Sequence, residues 1–532
     1  MNTEVQVIIA FMAVLVVVLT YTWYVRHENN KDYSQMELRA PLVEFKKLNR
    51  EEEANKAADE GHVVCTACTF DNFKSAAFCA VCGEALTEEA KKRAAKSKSP
   101  ANTLSSRRAR VAKRSEWVRK VDVEGKVFWY RQGSSQSSAA AGFAVTFAQE
   151  HEITIDASAS TTETLTQEAK NAKLTLVQAS AADATAFALG GKLESVSHEK
   201  EVVEQATSLD FPSKYASFVA KAAAALAPTK KKMLSLKVER ESLLKQALEH
   251  IGAVNAKFVR TEIQVKLIQK QVGPGGAVMG RSWFTQLSEL VGAPASGLFT
   301  IVDKTNQTFF LNRNSKVVVG DDHLTYFFAA GRLLGKGLLE GKLWSFHLSA
   351  PLLKIILGQP LSASDLEGVN SVEELLEGVS EQLFAFLKGV YEVVPQEMLM
   401  VLDAEELDYI MCGSDVIDAD EWERTSRYNE TIHAHPSKKW FWAFTRKMSL
   451  DYKKRLLHFT TGNTRVPIGG FAQLTNHNGH VAPFTIIGKE LVISRFVRAQ
   501  PCFNQMELPT YVHKKELTSN LFGILDNYDF SK

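Results

Sequence analysis

Ala499-Gln-Pro-Cys-Phe-Asn-Gln-Met-Glu-Leu-Pro-Thr-Tyr511 sets one thiol, Cys502, between a proline and an aromatic residue near the C-terminus. A thiolate is a strong nucleophile and supports covalent catalysis. A lone buried cysteine, however, is ordinarily a small inert hydrophobe. What separates the two readings is the company the run keeps. Upstream stand Phe459-Thr-Thr-Gly-Asn-Thr-Arg-Val-Pro-Ile-Gly-Gly-Phe471 and, earlier, Tyr326-Phe-Phe-Ala-Ala-Gly-Arg-Leu-Leu-Gly-Lys-Gly337.

Taken in order, these runs resemble a HECT ubiquitin-protein ligase. Residues 499–511 resemble the end of that domain, and 459–471 the Phe-x-Thr-Gly-x-x-Arg-x-Pro-x-Gly-Gly pattern of its C-lobe. Residues 326–337 resemble a helix of its N-lobe, preceded by strand-like Gly297-Leu-Phe299 and Asn312-Arg-Asn-Ser315. Gly273 to Trp283 resembles its Gly-rich turn, and Leu209-Asp-Phe-Pro-Ser-Lys-Tyr215 and Val238-Glu-Arg-Glu-Ser-Leu-Leu244 its first helix and strand. The likeness implies an α+β bilobal catalytic region, with an N-lobe over 209–446, a C-lobe over 447–532 and a hinge at Arg446-Lys447-Met448. It further implies that Cys502 accepts ubiquitin from a conjugating enzyme as a thioester and passes it to substrate lysines. Residues 381–428 would dock the conjugating enzyme, and Phe530 would help position the donor ubiquitin. By sequence proximity, Arg495, Arg498 and His513 are candidates to favour the thiolate.

Two departures from the family pattern stand out. The family usually has His-Thr before the cysteine, where this chain has Gln500-Pro501. The pattern also jumps from Asp365-Leu-Glu-Gly-Val369 to Gln382-Leu-Phe384, so the N-lobe is expected to be shortened near 370–382. These keep a second reading open, a catalytically inactive HECT-like adaptor that binds ubiquitin.

A chain of 532 residues, 45% hydrophobic, is long enough for several domains. Its 63 basic and 61 acidic residues balance, which excludes a chain-wide preference for polyanions. Gly273-Pro-Gly-Gly276 lacks the Lys and Ser/Thr of a phosphate-binding loop. Val5 to Val25 has only Gln6, Thr20 and Thr22 as polar residues. As a helix it would span about 31 Å, which matches a bilayer core, and Tyr21, Trp23 and Tyr24 favour the interface. Residues 5–25 are therefore expected to be a transmembrane helix, followed by a charged juxtamembrane segment, 26–60. Arg26, Lys31 and Arg39 follow the span while no Lys or Arg precedes it, which predicts a single-pass protein with its C-terminal region in the cytosol.

Cys65-Thr-Ala-Cys68 and Cys79-Ala-Val-Cys82 form two C-x2-C knuckles. That spacing lets four thiolates close a tetrahedral structural zinc site, and a reducing cytosol favours metal over disulfide. Cys68-Thr69-Phe70-x-Asn72 and the gap between the knuckles resemble the NZF finger, so 61–84 is expected to be a small zinc ribbon. The resemblance implies a ubiquitin-binding patch at Thr69, Phe70 and Val81. Related fingers bind single-stranded RNA, the least favoured of the readings. Of the two remaining cysteines, Cys412 lies at an apolar helix end, where packing is expected.

Residues 85–116 read as a solvated basic linker containing Arg93 and Arg114. Residues 117–132 carry two strand-like halves around Glu124-Gly125. They resemble the first two strands of a WW module without its second Trp and closing Pro, a degenerate hairpin. Residues 133–208, rich in Ala, Ser and Thr, read as a low-complexity spacer.

Overall fold

The computed structural model describes residues 20, 47–96, 114, 116–132, 142–151, 161–179, 182–191, 208–226, 234–268, 283–304, 307–366, 369–476, 479–492 and 495–527. The expected membrane span 5–25, Thr20 excepted, and Phe530 lie outside the described residues. Among the described residues no helix is long and apolar enough to cross a membrane. The chain divides into two units, residues 1–47 with 269–278 and residues 48–268 with 279–532, and the second contains both large hydrophobic cores.

The run 326–337 lies in one long helix at the centre of the first core. In chain order the longer helices are α1 (Arg50–Glu60), α2 (Glu88–Lys96), α3 (Thr161–Asn171), α4 (Phe211–Leu226), α5 (Leu243–Ala253), α6 (Trp283–Gly292), α7 (His323–Glu340), α8 (Ala350–Leu357), α9 (Ser380–Val393) and α10 (Ala404–Cys412). Helix α7 crosses α9 at their glycines. A Cβ on Gly331 would lie 2.1 Å from the Phe386 carbonyl oxygen, and one on Gly389 would lie 2.1 Å from that of Phe328. Only glycine lets the two backbones approach this closely. Arg332 and Lys336 on α7 meet the end of α5. The Arg332 guanidinium donates to the carbonyls of Ile251, Gly252 and Val254 and pairs with Glu392. Lys336 donates to the carbonyls of Val259 and Thr261. Arg332 satisfies acceptors that the end of α5 leaves without partners, and Lys336 holds the turn that follows it.

Beside this pair, β7 (Leu234–Glu239) and β8 (Ile263–Ile268) run parallel with α5 between them. A small sheet has the order β11-β10-β9, formed by β9 (Phe299–Asp303), β10 (Thr308–Leu311) and β11 (His347–Leu348).

The spacer expected at 133–208 is instead folded where it is described. Strands β5 (Phe143–Gln149) and β6 (Ala172–Gln178) pair antiparallel over seven residues each, with α3 before β6. Phe147 meets Phe384 of α9 edge-on at 5.5 Å, and Glu168 pairs with Lys388. The short apolar runs that look isolated in sequence find their partners on α9. The expected hairpin is present as β3 (Trp117–Val121) and β4 (Val127–Arg131). It does not present a WW-like aromatic groove. Trp129 is buried among Ala144, Ala179, Ala182 and Ala184, and Arg119 covers its ring at 4.8 Å.

The second core begins earlier than the expected boundary at 447. It contains α11 (Ala419–Thr425), α12 (Pro436–Lys447), α13 (Leu450–Thr461) and α14 (Lys514–Asp526). Its sheet has the order β12-β13-β15-β14, with β12 (Arg427–Tyr428), β13 (Thr485–Lys489), β14 (Arg498–Gln500) and β15 (Gln505–Pro509). Trp422 stacks on Phe471 at 5.0 Å and meets Trp442 edge-on at 5.8 Å, so 417–446 packs with the C-terminal lobe. The hinge expected at 446–448 is corrected for the same reason. Met448 is buried in the second core, and Arg446 is paired with Asp420 and Glu423. The chain passes between the cores at Gly413–Val416.

Candidate active site and zinc ribbon

Cys502 lies in a single helical turn, Pro501–Phe503, that joins β14 to β15. Pro501 is the first residue of the turn, where a missing N–H breaks no hydrogen bond and a fixed φ suits the conformation. Gln500-Pro501 is therefore compatible with the local backbone. The turn closes on Asn504 at φ +52°, a left-handed conformation that asparagine tolerates better than most residues. The buried Asn504 amide donates to the carbonyls of Thr475 (3.1 Å) and Ala482 (2.8 Å), and its own carbonyl accepts from the Thr485 N–H. The Asn504 side chain thus ties the turn to the loop before β13, and its backbone carbonyl ties the turn to β13 itself.

Helix α13 packs against the turn, and Cys502 is 8% exposed. Burial pushes its thiol above the ordinary value, opposed by a backbone hydrogen bond within the turn. Of the proposed cationic neighbours, Arg498 is exposed on β14, its Cα opposite that of Glu507, and His513 is the exposed residue before α14. Cys412 is fully buried and hydrogen-bonded to the Phe346 carbonyl at 3.3 Å.

A polar cluster that sequence reading missed spans the passage between the cores. His347 Nδ1 lies 2.8 Å from Asp408, and Nε2 lies 3.0 Å from Asp415. From the second lobe, Lys454 and Arg465 approach the same Asp415 at 2.6 and 3.2 Å. His458 on α13 meets Glu289 on α6 at 3.3 Å. Arg465 is the arginine of the run 459–471, but the histidine and carboxylates it joins lie far from it in the chain, and no local motif announces them.

In the ribbon, β1 (His62–Val64) pairs with β2 (Asp71–Phe73) and carries the first knuckle. The Sγ atoms of Cys65 and Cys82 are 3.6 Å apart, as are those of Cys68 and Cys79, and all four lie within 4.8 Å of one another. A zinc–sulfur bond of about 2.3 Å in a tetrahedron puts sulfurs about 3.8 Å apart, so the donor set fits that ion. Asn72 ties the knuckles together, donating to the Phe70 carbonyl and accepting from the Ala80 N–H.

The exposed patch expected of Thr69, Phe70 and Val81 is corrected. Phe70 is 0% exposed and Val81 is buried. Phe70 packs on Phe211 of α4 at 5.1 Å and on Tyr409 of α10 at 5.8 Å, with Arg114 over its ring at 5.0 Å. Thr69 holds φ +59°, and its carbonyl accepts from Arg114. The apolar face that could meet a partner is covered by the chain's own helices. The linker expectation changes with it, because Arg114 pairs with Asp403 and Glu406 and Arg93 pairs with Asp418 and Asp420.

The profile of the HECT-domain (ubiquitin-transferase) family matches residues 285–374 and 371–529, the segment that includes Cys502. Among curated proteins, the human E3 ubiquitin-protein ligase NEDD4 is 28% identical over 353 residues, 55% of this chain. The E3 ubiquitin-protein ligase TOM1-like of Neurospora crassa is 28% identical over 350 residues, 54% of this chain. The Drosophila melanogaster E3 ubiquitin-protein ligase Nedd-4 is 27% identical over 351 residues. The matched segments span 26%, 8% and 34% of those relatives' own lengths.

Proposed function

We propose that this protein is a HECT-type ubiquitin transferase that carries ubiquitin on Cys502. The Cys502 thiolate attacks the carbonyl carbon of the ubiquitin thioester on a conjugating enzyme, whose cysteine leaves as thiolate. A substrate lysine amine then attacks the new thioester, forming an isopeptide bond and releasing the Cys502 thiolate. The observation that carries the reading is Cys502 on a held turn of the terminal lobe, inside the segment matched to the HECT family.

Cys65, Cys68, Cys79 and Cys82 hold zinc in a closed structural site with no open position for a substrate. Residues 5–25 anchor the protein as a single-pass helix with the C-terminal region in the cytosol, supported by the apolar run and the charges after it. Phe530 helps position the donor ubiquitin, a role carried over from the family resemblance.

The test is to charge the protein with ubiquitin using activating and conjugating enzymes. A thiol-sensitive adduct on wild type that is absent from Cys502→Ala, a loss of more than a hundredfold, is expected. Failure to form an adduct with any of a broad set of conjugating enzymes would sink the transferase reading.

A further inference from the structure

The structure assigns the zinc ribbon a positioning role in the transfer: it braces the passage between the two cores and so sets the orientation of the lobe that carries Cys502. This rests on the transferase reading for its catalytic meaning. The geometry behind it does not depend on that reading.

The brace has a fixed end. Phe70 is buried against Phe211 and Tyr409, and Phe73 meets Phe211 and Tyr215 edge-on at 5.8 and 6.1 Å. Arg114 joins the Thr69 carbonyl to Asp403 and Glu406, and Lys214 meets Glu406 at 3.1 Å. The ribbon is thereby fastened to α4 and α10 of the first core.

It also has a working end. The Ser414 hydroxyl donates to the carbonyl of Ala80, which lies between Cys79 and Cys82 in the second knuckle, at 2.8 Å. Ser414 sits in the passage itself, and its backbone pairs in both directions with Val466 of the following lobe, at 2.9 and 3.0 Å. Just beyond the ribbon, Arg93 on α2 lies 5.4 Å from the Phe78 ring and reaches Asp418 and Asp420 at the start of α11. The ribbon thus touches the passage directly at Ala80, and through Arg93, which lies over Phe78, it is linked to the start of the first helix of the second core.

Four thiolates around one ion would fix the Ala80 carbonyl, and that carbonyl fixes Ser414. A thiol that must face a conjugating enzyme and then a substrate needs its lobe to reorient between the two steps. Ser414 and Arg93 stand where that rotation begins. They act through the passage and do not touch the reacting atoms.

The experiment compares the full chain with the double variant Arg93→Gln/Ser414→Ala, which leaves all four cysteines in place. Three quantities are read: bound zinc, amide hydrogen exchange at 413–418 and 466, and the rates of ubiquitin loading and discharge. The expected result is unchanged zinc content and exchange at those amides at least tenfold faster. The ratio of loading to discharge should shift by threefold or more. Chelator-treated wild type should show the same faster exchange. Exchange that stays within twofold of wild type in both samples overturns the brace, as does an unchanged loading-to-discharge ratio in a protein that forms the adduct. An absent adduct in wild type counts against the transferase reading, and the exchange data then decide the brace alone.

Discussion

The thiol of Cys502 and the four thiols of the ribbon are all buried, yet they are prepared for opposite fates. In the ribbon the sulfurs hydrogen-bond to one another. Contact with Cys68 holds Cys82 down near 5, and contact with Cys65 holds Cys79 down near 7. The cost falls on the partners, since contact with Cys79 pushes Cys65 up to about 12 and drives Cys68 upward. The cluster concentrates negative charge and is ready for a cation. Cys502 has burial pushing its thiol up and a backbone hydrogen bond of its own turn pulling it down. Clustered thiols make thiolates among themselves, whereas burial holds the Cys502 thiol toward its protonated form.

The strongest way to break this contrast is to remove the zinc proposed for the ribbon. Stripping it with a chelator, or introducing Cys68→Ser, should cost on the order of 10 kcal/mol at the ribbon, as for other structural zinc sites. Limited proteolysis should then cut within 61–84, and a ribbon that resists cleavage equally with and without metal would contradict the closed-site reading. A smaller effect is expected at the turn. Asn504→Ala removes two buried amide hydrogen bonds and leaves the Thr475 and Ala482 carbonyls short of a donor. The cost should be about 2–3 kcal/mol, seen as a lower denaturation midpoint of the second core together with faster alkylation of Cys502.

The finest test is pH. Because the folded protein holds the Cys502 proton more tightly than the unfolded chain does, this group's contribution to stability is intact below the unfolded thiol value of about 8.5. It is lost as pH rises through the higher folded value. Alkylation of native Cys502 should therefore follow a pH profile displaced upward from that of the same residue in urea. Metal-free ribbon should react at lower pH than Cys502. Coincident profiles would remove the difference between the two settings.

The fold was legible where one residue type has one physical reason. Gly331, Gly335 and Gly337 mark close approaches of α7 to its neighbours, and the C-x2-C pairs mark four sulfurs that the fold gathers together. The boundary between lobes was not legible, because Trp422 joins Phe471 and Phe484 only through tertiary packing. For the same reason Ala144, Ala179, Ala182 and Ala184 read as low complexity, although small side chains are what allow Trp129 to be covered. Phe70 shows the limit of a local motif. The pattern marks an apolar face but not what covers it, and here the cover comes from Phe211 and Tyr409, more than a hundred residues away. In the candidate site, Cys502 was named from its run. Asn504, two residues on, was passed over, although an asparagine after a proline-led turn is a signal for left-handed backbone.

The strand order of the second lobe has a consequence for the order of synthesis. Strand β13 lies between β12 and β15, so the sheet must draw together segments from residue 427 to residue 509. Leu517, Leu521 and Leu525 of α14 enter the same core. A nascent polypeptide can complete its first core early, but it cannot form the turn around Cys502 until those last segments leave the ribosome. A product ending between residues 413 and 505 would retain the ribbon and the first core without forming the turn around Cys502, so this thiol acquires its setting only after the first core is already in place.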